Sequence, residues 1–301
     1  MQWKGSLLLL LAAFIWGTTF VAQMTGMEGL GPFTYASSRF LLGTLFLAGL
    51  WYATRQKRAA RKAAGKYQPG WRVGIGAGCI MFLASSLQQV AMVYTTAGKT
   101  AFITALYIVL VPIAAHFLLH QCVQFWNWLG ALLAVIGLYL LSIHGAVVLN
   151  IGDVIVFVSA LFWTAHILYI GHFAGSSDVI ELSLMQIVVV ALGSVLAMLL
   201  WETPQLAAIG AAWFSIFYGG VLSAGVAFTL QIIGQQYTPP ATASLLMSFE
   251  GVFGVLGSCI ILGEVMSPAQ VLGCVLMFSG IIVTQLGALL QEYRQRAARE
   301  S

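Results

Sequence analysis

Apolar runs of about 20 residues recur along almost the whole chain, separated by short polar stretches, and that is the helical length needed to cross a hydrocarbon core of about 30 Å. Ten runs can be drawn, at residues 5–24, 33–53, 71–94, 99–119 and 127–143, and again at 152–173, 182–201, 212–235, 241–262 and 268–290. Within lipid each backbone N–H and C=O must be paired inside its own segment, which a helix achieves. The pattern therefore predicts an all-α integral membrane protein with ten transmembrane helices. The first run follows Lys4 and begins like a cleaved leader, but it continues through Trp16 and Phe20 without a small-residue cleavage site. It reads as the first span.

Positive charge sets the expected orientation, because short loops rich in Lys and Arg are retained on the cytoplasmic side. Of the 13 Lys and Arg residues, all but Arg39 and Lys99 fall in three places. These are Lys4; Arg55, Lys57, Arg58, Arg61, Lys62, Lys66 and Arg72 between the second and third runs; and Arg294, Arg296 and Arg299 after the tenth. Ten crossings put all three on one face, so both termini are expected in the cytoplasm and the protein in the cytoplasmic membrane. The cluster between residues 55 and 72 reads as a topology signal in a solvated loop, with contact to anionic lipid as the other reading.

The halves of the chain resemble each other. A shift of 143 residues lays Gln88 on Gln231, Tyr94-Thr95 on Tyr237-Thr238, and Leu129-Gly130, Leu133 and Gly137 on Leu272-Gly273, Leu276 and Gly280. A shift of 147 lays Ala13 and Trp16 on Ala160 and Trp163. Five spans is an odd number, so the second copy must cross the membrane in the opposite sense, as an inverted repeat. The expected domains are a five-helix repeat at residues 1–144, a second at 145–290, and a basic cytoplasmic tail at 291–301.

Composition narrows the class. Apolar residues make up 60% of the chain and charged residues 7%, against roughly 25% charge in soluble domains. The net charge of +4 is confined to the three basic places and does not indicate nucleic acid. Cys79, Cys122, Cys259 and Cys274 show neither CxxC pairing nor metal spacing, and they read as packing residues. No cofactor is expected.

Several stretches carry a family likeness: Ala12 to Gly17 (AAFIWG), Ser38-Arg39-Phe40, and a Tyr-Thr turn before a small-residue helix in each half. Those turns begin YTTAGKTAFITALYIVLVP at Tyr94 and YTPPATASLLMSFEGVFGVL at Tyr237, the second helix ending in Leu262-Gly263-Glu264. Over nearly its full length the chain resembles the EamA family of the drug/metabolite transporter superfamily. The resemblance implies ten helices in which spans one to four and six to nine surround a central cavity, with spans five and ten at the side. It also implies transport, often export, of amino acids or related metabolites. Two positions depart from the family pattern. Gly251 follows Glu250 where Pro is common, and His120-Gln121 stands where many members have Gly-Glu.

A charged side chain at mid-bilayer costs about 2.5 to 3.5 kcal/mol, so it persists where it faces protein or water. Glu250 lies nine residues into its span, about 14 Å at the helical rise and so near the midplane. It is either a cavity carboxylate that exchanges a proton or meets a substrate amine, or a packing residue bonded to a neighbour. Tyr107 is its repeat mate. Arg39 is shallow enough to snorkel to the interface and has either a structural hydrogen-bonding role or a contact to a substrate carboxylate, and Lys99 reads as an interfacial anchor, with attraction of anions into the mouth as the other reading. Polar stripes at helical spacing are Trp16, Thr19 and Gln23; Ser85, Gln88, Gln89 and Met92; Thr100, Thr104 and Tyr107; and Ser159, Trp163 and His166. Each alone reads as helix-packing glue, and several together suggest one polar cavity. Gln186 and Gln231 are further cavity amides. His166 is either a proton-active group or a bonded packing residue, and His116 is a weaker candidate. Gly251, Gly254, Gly257 and Ser258 form a close-packing face, while Pro112 and Pro239-Pro240 suggest a kink and a turn.

The expectation is a secondary transporter, an exporter of small metabolites such as amino acids, working by alternating access with proton or counter-substrate coupling. The partners are a small-molecule substrate and the lipid bilayer, with oligomeric state left open. There is no Walker loop, and no HExxH or GxSxG constellation that a membrane enzyme would carry. A channel or a non-transporting scaffold is the other alternative.

Overall fold

The computed structural model of the chain describes residues 2–27, 29–95, 97–120, 122–142, 150–175, 177–262 and 266–300. Gln121, the expected repeat boundary at 144, and Gly263-Glu264 of the sequence resemblance lie outside the described residues.

The described residues form helices joined by short connections. They are α1 (Gln2–Gly26), α2 (Pro32–Ala53), α3 (Arg55–Ala63), α4 (Trp71–Ala91), α5 (Ala97–Thr104), α6 (Tyr107–Leu119), α7 (Phe125–Ser142), α8 (Ile151–Phe173), α9 (Val179–Trp201), α10 (Leu206–Ala211), α11 (Trp213–Phe217), a π-helical stretch Tyr218–Ala227, α12 (Phe228–Gln235), α13 (Pro240–Met247), α14 (Glu250–Leu262) and α15 (Pro268–Glu300). Among them, 7 stretches are long and apolar enough to cross a membrane, and shorter apolar stretches lie in α1 and α7. Large apolar side chains such as Leu45, Leu83, Leu132, Leu192 and Leu200 face outward. Water disfavours such a surface and acyl chains solvate it, which makes this a multi-pass membrane protein.

The helix ends show how the orphan N–H groups are satisfied. Pro32 occupies the first turn of α2, where its missing N–H costs nothing. The Glu202 carboxylate, at the end of α9, accepts bonds from Phe33 N (2.8 Å), Thr34 N (2.7 Å) and Thr34 Oγ1 (2.6 Å). It thereby ties α9 to the start of α2, its long packing partner. Helix α8 opens on a capping box between Asn150 and Asp153, and α9 on the side chain of Asp178.

Helices α7 and α15 pack along each other beside the rest of the bundle. Their seam is made of glycines: a Cβ on Gly130 would stand 2.7 Å from the Gly280 carbonyl, and one on Gly280 2.7 Å from that of Gly130. Gly137 and Gly273 meet in the same way two turns farther along. The expected close-packing face of span nine is also present, with Gly254 and Gly257 against α1 and Gly251 against Leu138 of α7.

Several sequence expectations need correction. The stretch after α2 is not an open loop, because α3 forms within it; Arg58 folds back onto the Trp51 ring and bonds Thr54 Oγ1 (2.7 Å). The tail at 291–301 is, through Glu300, the continuation of α15. Cys79 and Cys122 are exposed, not packed. Pro112 lies inside α6 without ending it.

At the end of the bundle carrying α3, Arg61 pairs with Asp178 (3.2 Å), and Tyr67 donates to Glu181 (2.8 Å), which also accepts from Gly70 N (2.7 Å). Partial burial, and then the bond to Glu181, push the Tyr67 phenol up to about 12. The proton that makes this tie is therefore retained until strong base. Replacing Glu202 by Ala should destabilise the protein by about 1–2 kcal/mol through loss of the α2 cap, seen as a lower apparent Tm in detergent with the α2–α9 end unravelling first in hydrogen exchange.

Candidate functional site

Two crossings are interrupted, and at the same place in each half. One breaks between Thr104 and Tyr107, the other between Met247 and Glu250, positions 143 residues apart. At both breaks the α-helical ladder gives way to tighter bonds. Leu106 N reaches Ile103 O (3.2 Å) and Ile108 N reaches Ala105 O (3.0 Å); Phe249 N reaches Leu246 O (3.4 Å) and Gly251 N reaches Ser248 O (3.2 Å). No proline lies at either break, so the departure of Gly251 from the family pattern does not abolish the interruption. Tyr107 and Glu250, the first residues after the breaks, meet: the Tyr107 hydroxyl donates to Glu250 Oε1 across 3.2 Å.

Both breaks open onto one cavity. Thr104, Tyr107, Met247 and Glu250, the residues flanking the two breaks, all line it. Helix α1 adds Trp16 and Gln23, α2 adds Arg39 and Phe40, and α4 adds Ser85, Gln88 and Gln89. Trp163 and Ile167 come from α8, Ser223 from the π-helical stretch, and Phe228 and Gln231 from α12.

The aromatic wall is ordered by its own contacts. Trp163 stacks parallel to Phe228 at 6.0 Å between centroids, and Trp16 tilts onto the same ring at 4.9 Å. Trp163 Nε1 donates to Gln88 Oε1 (2.9 Å), fixing both the indole and the amide. Arg39 does not snorkel. Its side chain is buried, with the guanidinium 4.5 Å from the Phe40 ring centroid and 5.6 Å from that of Tyr35. The ion pairs among the described residues join Arg61 to Asp178 and Lys99 to Asp153, so Arg39 and Glu250 line one cavity without pairing. Trp16 Nε1, Arg39 Nε, Thr104 Oγ1 and Gln231 Oε1 are buried on this wall with no hydrogen-bond partner. Buried polar groups in native proteins are normally paired, so this wall is suited to a polar solute.

Of the residues singled out from the sequence, Trp16, Arg39, Gln88, Tyr107, Trp163, Gln231 and Glu250 come together at this cavity. Thr19, His166 and Gln186 do not line it. Thr19 is buried and bonds Ile15 O (2.6 Å), while His166 Nε2 and Gln186 Oε1 lie 3.2 Å apart in the packing between helices. Lys99 is held by Asp153 (3.2 Å), not free as an interfacial anchor, and Ser159 bonds Ala84 O (2.8 Å). Helix α9, expected to line the cavity as span seven, contributes no residue to it. Sequence reasoning missed Phe228 and Ser223. An aromatic within an apolar run carries no polar signal, and Ser223 owes its direction to the π-helical register.

A multi-helix membrane body around a cavity lined by polar and aromatic side chains is the construction of a membrane transporter, and comparison with known proteins gives the same class. The EamA-like transporter family matches residues 3–143 and, separately, 150–286. The chain belongs to the EamA-like transporter family, and so to the drug/metabolite transporter superfamily. An uncharacterized transporter of Archaeoglobus fulgidus is 30% identical over 285 residues, covering 92% of this chain and 84% of that protein. The uncharacterized transporter YoaV of Bacillus subtilis is 23% identical over 276 residues, covering 89% and 92%. A crystal structure of a protein 20% identical in sequence superposes with a TM-score of 0.78, covering 95% of this chain and 98% of the other. It shares the fold.

The Tyr107–Glu250 bond should be measurable as a coupling. In a double-mutant cycle of Tyr107→Phe and Glu250→Gln, unfolding in mixed micelles should give an interaction of about 0.6 to 1.7 kcal/mol, the range for hydrogen bonds between membrane helices.

Proposed function

We propose that the chain is a secondary transporter that exports small zwitterionic metabolites, amino acids in the first place, across the cytoplasmic membrane by alternating access. Its moving parts are two inverted five-helix repeats, residues 1–144 and 145–290, giving ten spans with both termini in the cytoplasm. Support for the repeat comes from the double family match, from the breaks 143 residues apart, and from the packing. Helix α4 packs on α8 and α9 as the π-helical stretch and α12 pack on α1 and α2; α8 packs on α5 and α6 as α1 packs on α13 and α14; α2 pairs with α9 and α7 with α15.

The observation that carries the substrate reading is that Arg39 and Glu250 line one cavity without pairing to each other. A guanidinium left over matches a carboxylate, and a carboxylate held by one hydroxyl matches an ammonium. The aromatic wall of Trp16, Trp163 and Phe228 would take the apolar part of the solute. Glu250 is also the proton-coupling candidate, since it is the acidic side chain lining the cavity.

Counterflow in proteoliposomes against a panel of amino acids, with and without a pH gradient, tests this. Saturable exchange of at least one zwitterion is expected. Arg39→Gln should raise its KM about 10- to 100-fold, the equivalent of about 1.5–3 kcal/mol for a charge-assisted hydrogen bond. Glu250→Gln should flatten the pH dependence; full transport with the wild-type pH profile would remove Glu250 from the mechanism. Flux that never saturates would make the protein a channel.

A further inference from the structure

At the end of the bundle away from the basic stretch, the start of α8 crosses the turn between α4 and α5. Gly152 permits the crossing: a Cβ there would stand 2.9 Å from that of Tyr94 and 3.0 Å from that of Thr95. The next residue, Asp153, is 3% exposed; it accepts bonds from Thr95 Oγ1 (2.6 Å) and Asn150 N (3.0 Å) and pairs with Lys99 (3.2 Å). One carboxylate thus binds α8 to the first turn of α5 and fills the space between them.

The basic end repeats this crossing with different chemistry. There the start of α1 passes the turn between α12 and α13, with Gly5 set against the Gly234 carbonyl (2.8 Å from a Cβ), Tyr237 (2.9 Å) and Thr238. Asp153 lies 147 residues after Ser6, and Thr238 and Thr242 lie 143 residues after Thr95 and Lys99. These are the two offsets that superimpose the halves. The carboxylate is therefore replaced by a serine and the ammonium by a threonine. No ion pair among the described residues bridges these positions, and a second cavity occupies them. Ser6, Cys122, Asn127, Thr238, Thr242 and Gln285 line it, all of them uncharged. Thr238 is 4% exposed, and its hydroxyl has no hydrogen-bond partner. Ala115 lies on the cavity wall and also in a buried apolar layer with Leu9, Val111, Ile167, Leu246 and Met247. Ile167 and Met247 of that layer also line the central cavity.

We propose that this second cavity is the solute passage at the basic face, a site for uncharged hydrogen-bonding groups, and that the Lys99–Asp153–Thr95 cluster bars the corresponding passage at the opposite face. The proposal rests on the transporter reading. Hydroxyl and amide walls replace part of a polar solute's hydration without gripping an ion, which suits transit better than storage. The layer around Leu9 and Met247 is what must part for the two cavities to join.

Cys122 reports on the site directly. In a Cys79→Ser, Cys259→Ser, Cys274→Ser background, the impermeant thiol reagent MTSET applied to the basic face of reconstituted vesicles should modify Cys122, and applied to the opposite face should not. Ser6→Asp combined with Thr242→Lys installs the missing ion pair and should slow modification at least tenfold, while each single substitution should not. The reversed pair, Ser6→Lys with Thr242→Asp, should slow it equally, which separates closure from misfolding. Conversely, Asp153→Ser with Lys99→Thr should raise MTSET access to Thr95→Cys from the opposite face. A Cys122 that reacts only after denaturation, or equally fast with the ion pair installed, overturns the proposal. If Cys122 behaves as expected while no counterflow is found, the transport reading fails and the water-filled passage stands; counterflow with an inaccessible Cys122 gives the reverse.

Discussion

The structure depends on one constraint: in hydrocarbon, a backbone N–H or C=O without a partner costs several kcal/mol. A membrane helix can therefore be interrupted only where protein or a polar cavity takes over the lost bonds. The interruptions at Thr104–Tyr107 and Met247–Glu250 obey this by facing the same cavity and tightening to shorter-range bonds. They place the two groups best able to interact across the centre, a phenol and a carboxylate, within hydrogen-bonding distance. Broken helices and cavity are thus one feature, since neither is stable at that depth without the other.

Around this centre the fold separates rigid from adjustable parts. The α7–α15 seam brings backbones together through facing glycines and contributes nothing to the cavity wall. The wall comes instead from helices that contact one another across the halves, α1 against α12 to α14 and α4 against α8. Trp163 fixed by Gln88 and Arg39 resting on Phe40 show how this wall orders its polar groups: each is oriented by a neighbour without being neutralised by it.

Much of this was legible in the sequence, for physical reasons that also mark where legibility stops. Run length reveals a span because the bilayer has a fixed thickness, and rarity reveals Arg39 and Glu250 because a mid-membrane charge must have a reason to persist. Helical spacing gathered Trp16, Gln88, Tyr107 and Trp163 onto inward stripes. The same spacing does not say how far around the helix the cavity reaches. Thr19 therefore fell on its own helix's carbonyl, and His166 and Gln186 on each other. The first break was hidden because it contains neither proline nor glycine, and at the second the glycine, Gly251, reads as part of a close-packing face. For Arg39 the sequence left the partner open, because depth along a helix does not reveal whether the shorter way to a polar environment is outward to the interface or sideways into the protein.

Helix α15 runs unbroken over 33 residues, about 50 Å at the helical rise, whereas the acyl region is about 30 Å deep. Roughly 20 Å of the rod therefore lies outside the hydrocarbon, shared between its two ends and set among the headgroups, where the polar and basic sequence of the last turns meets water instead of acyl chains.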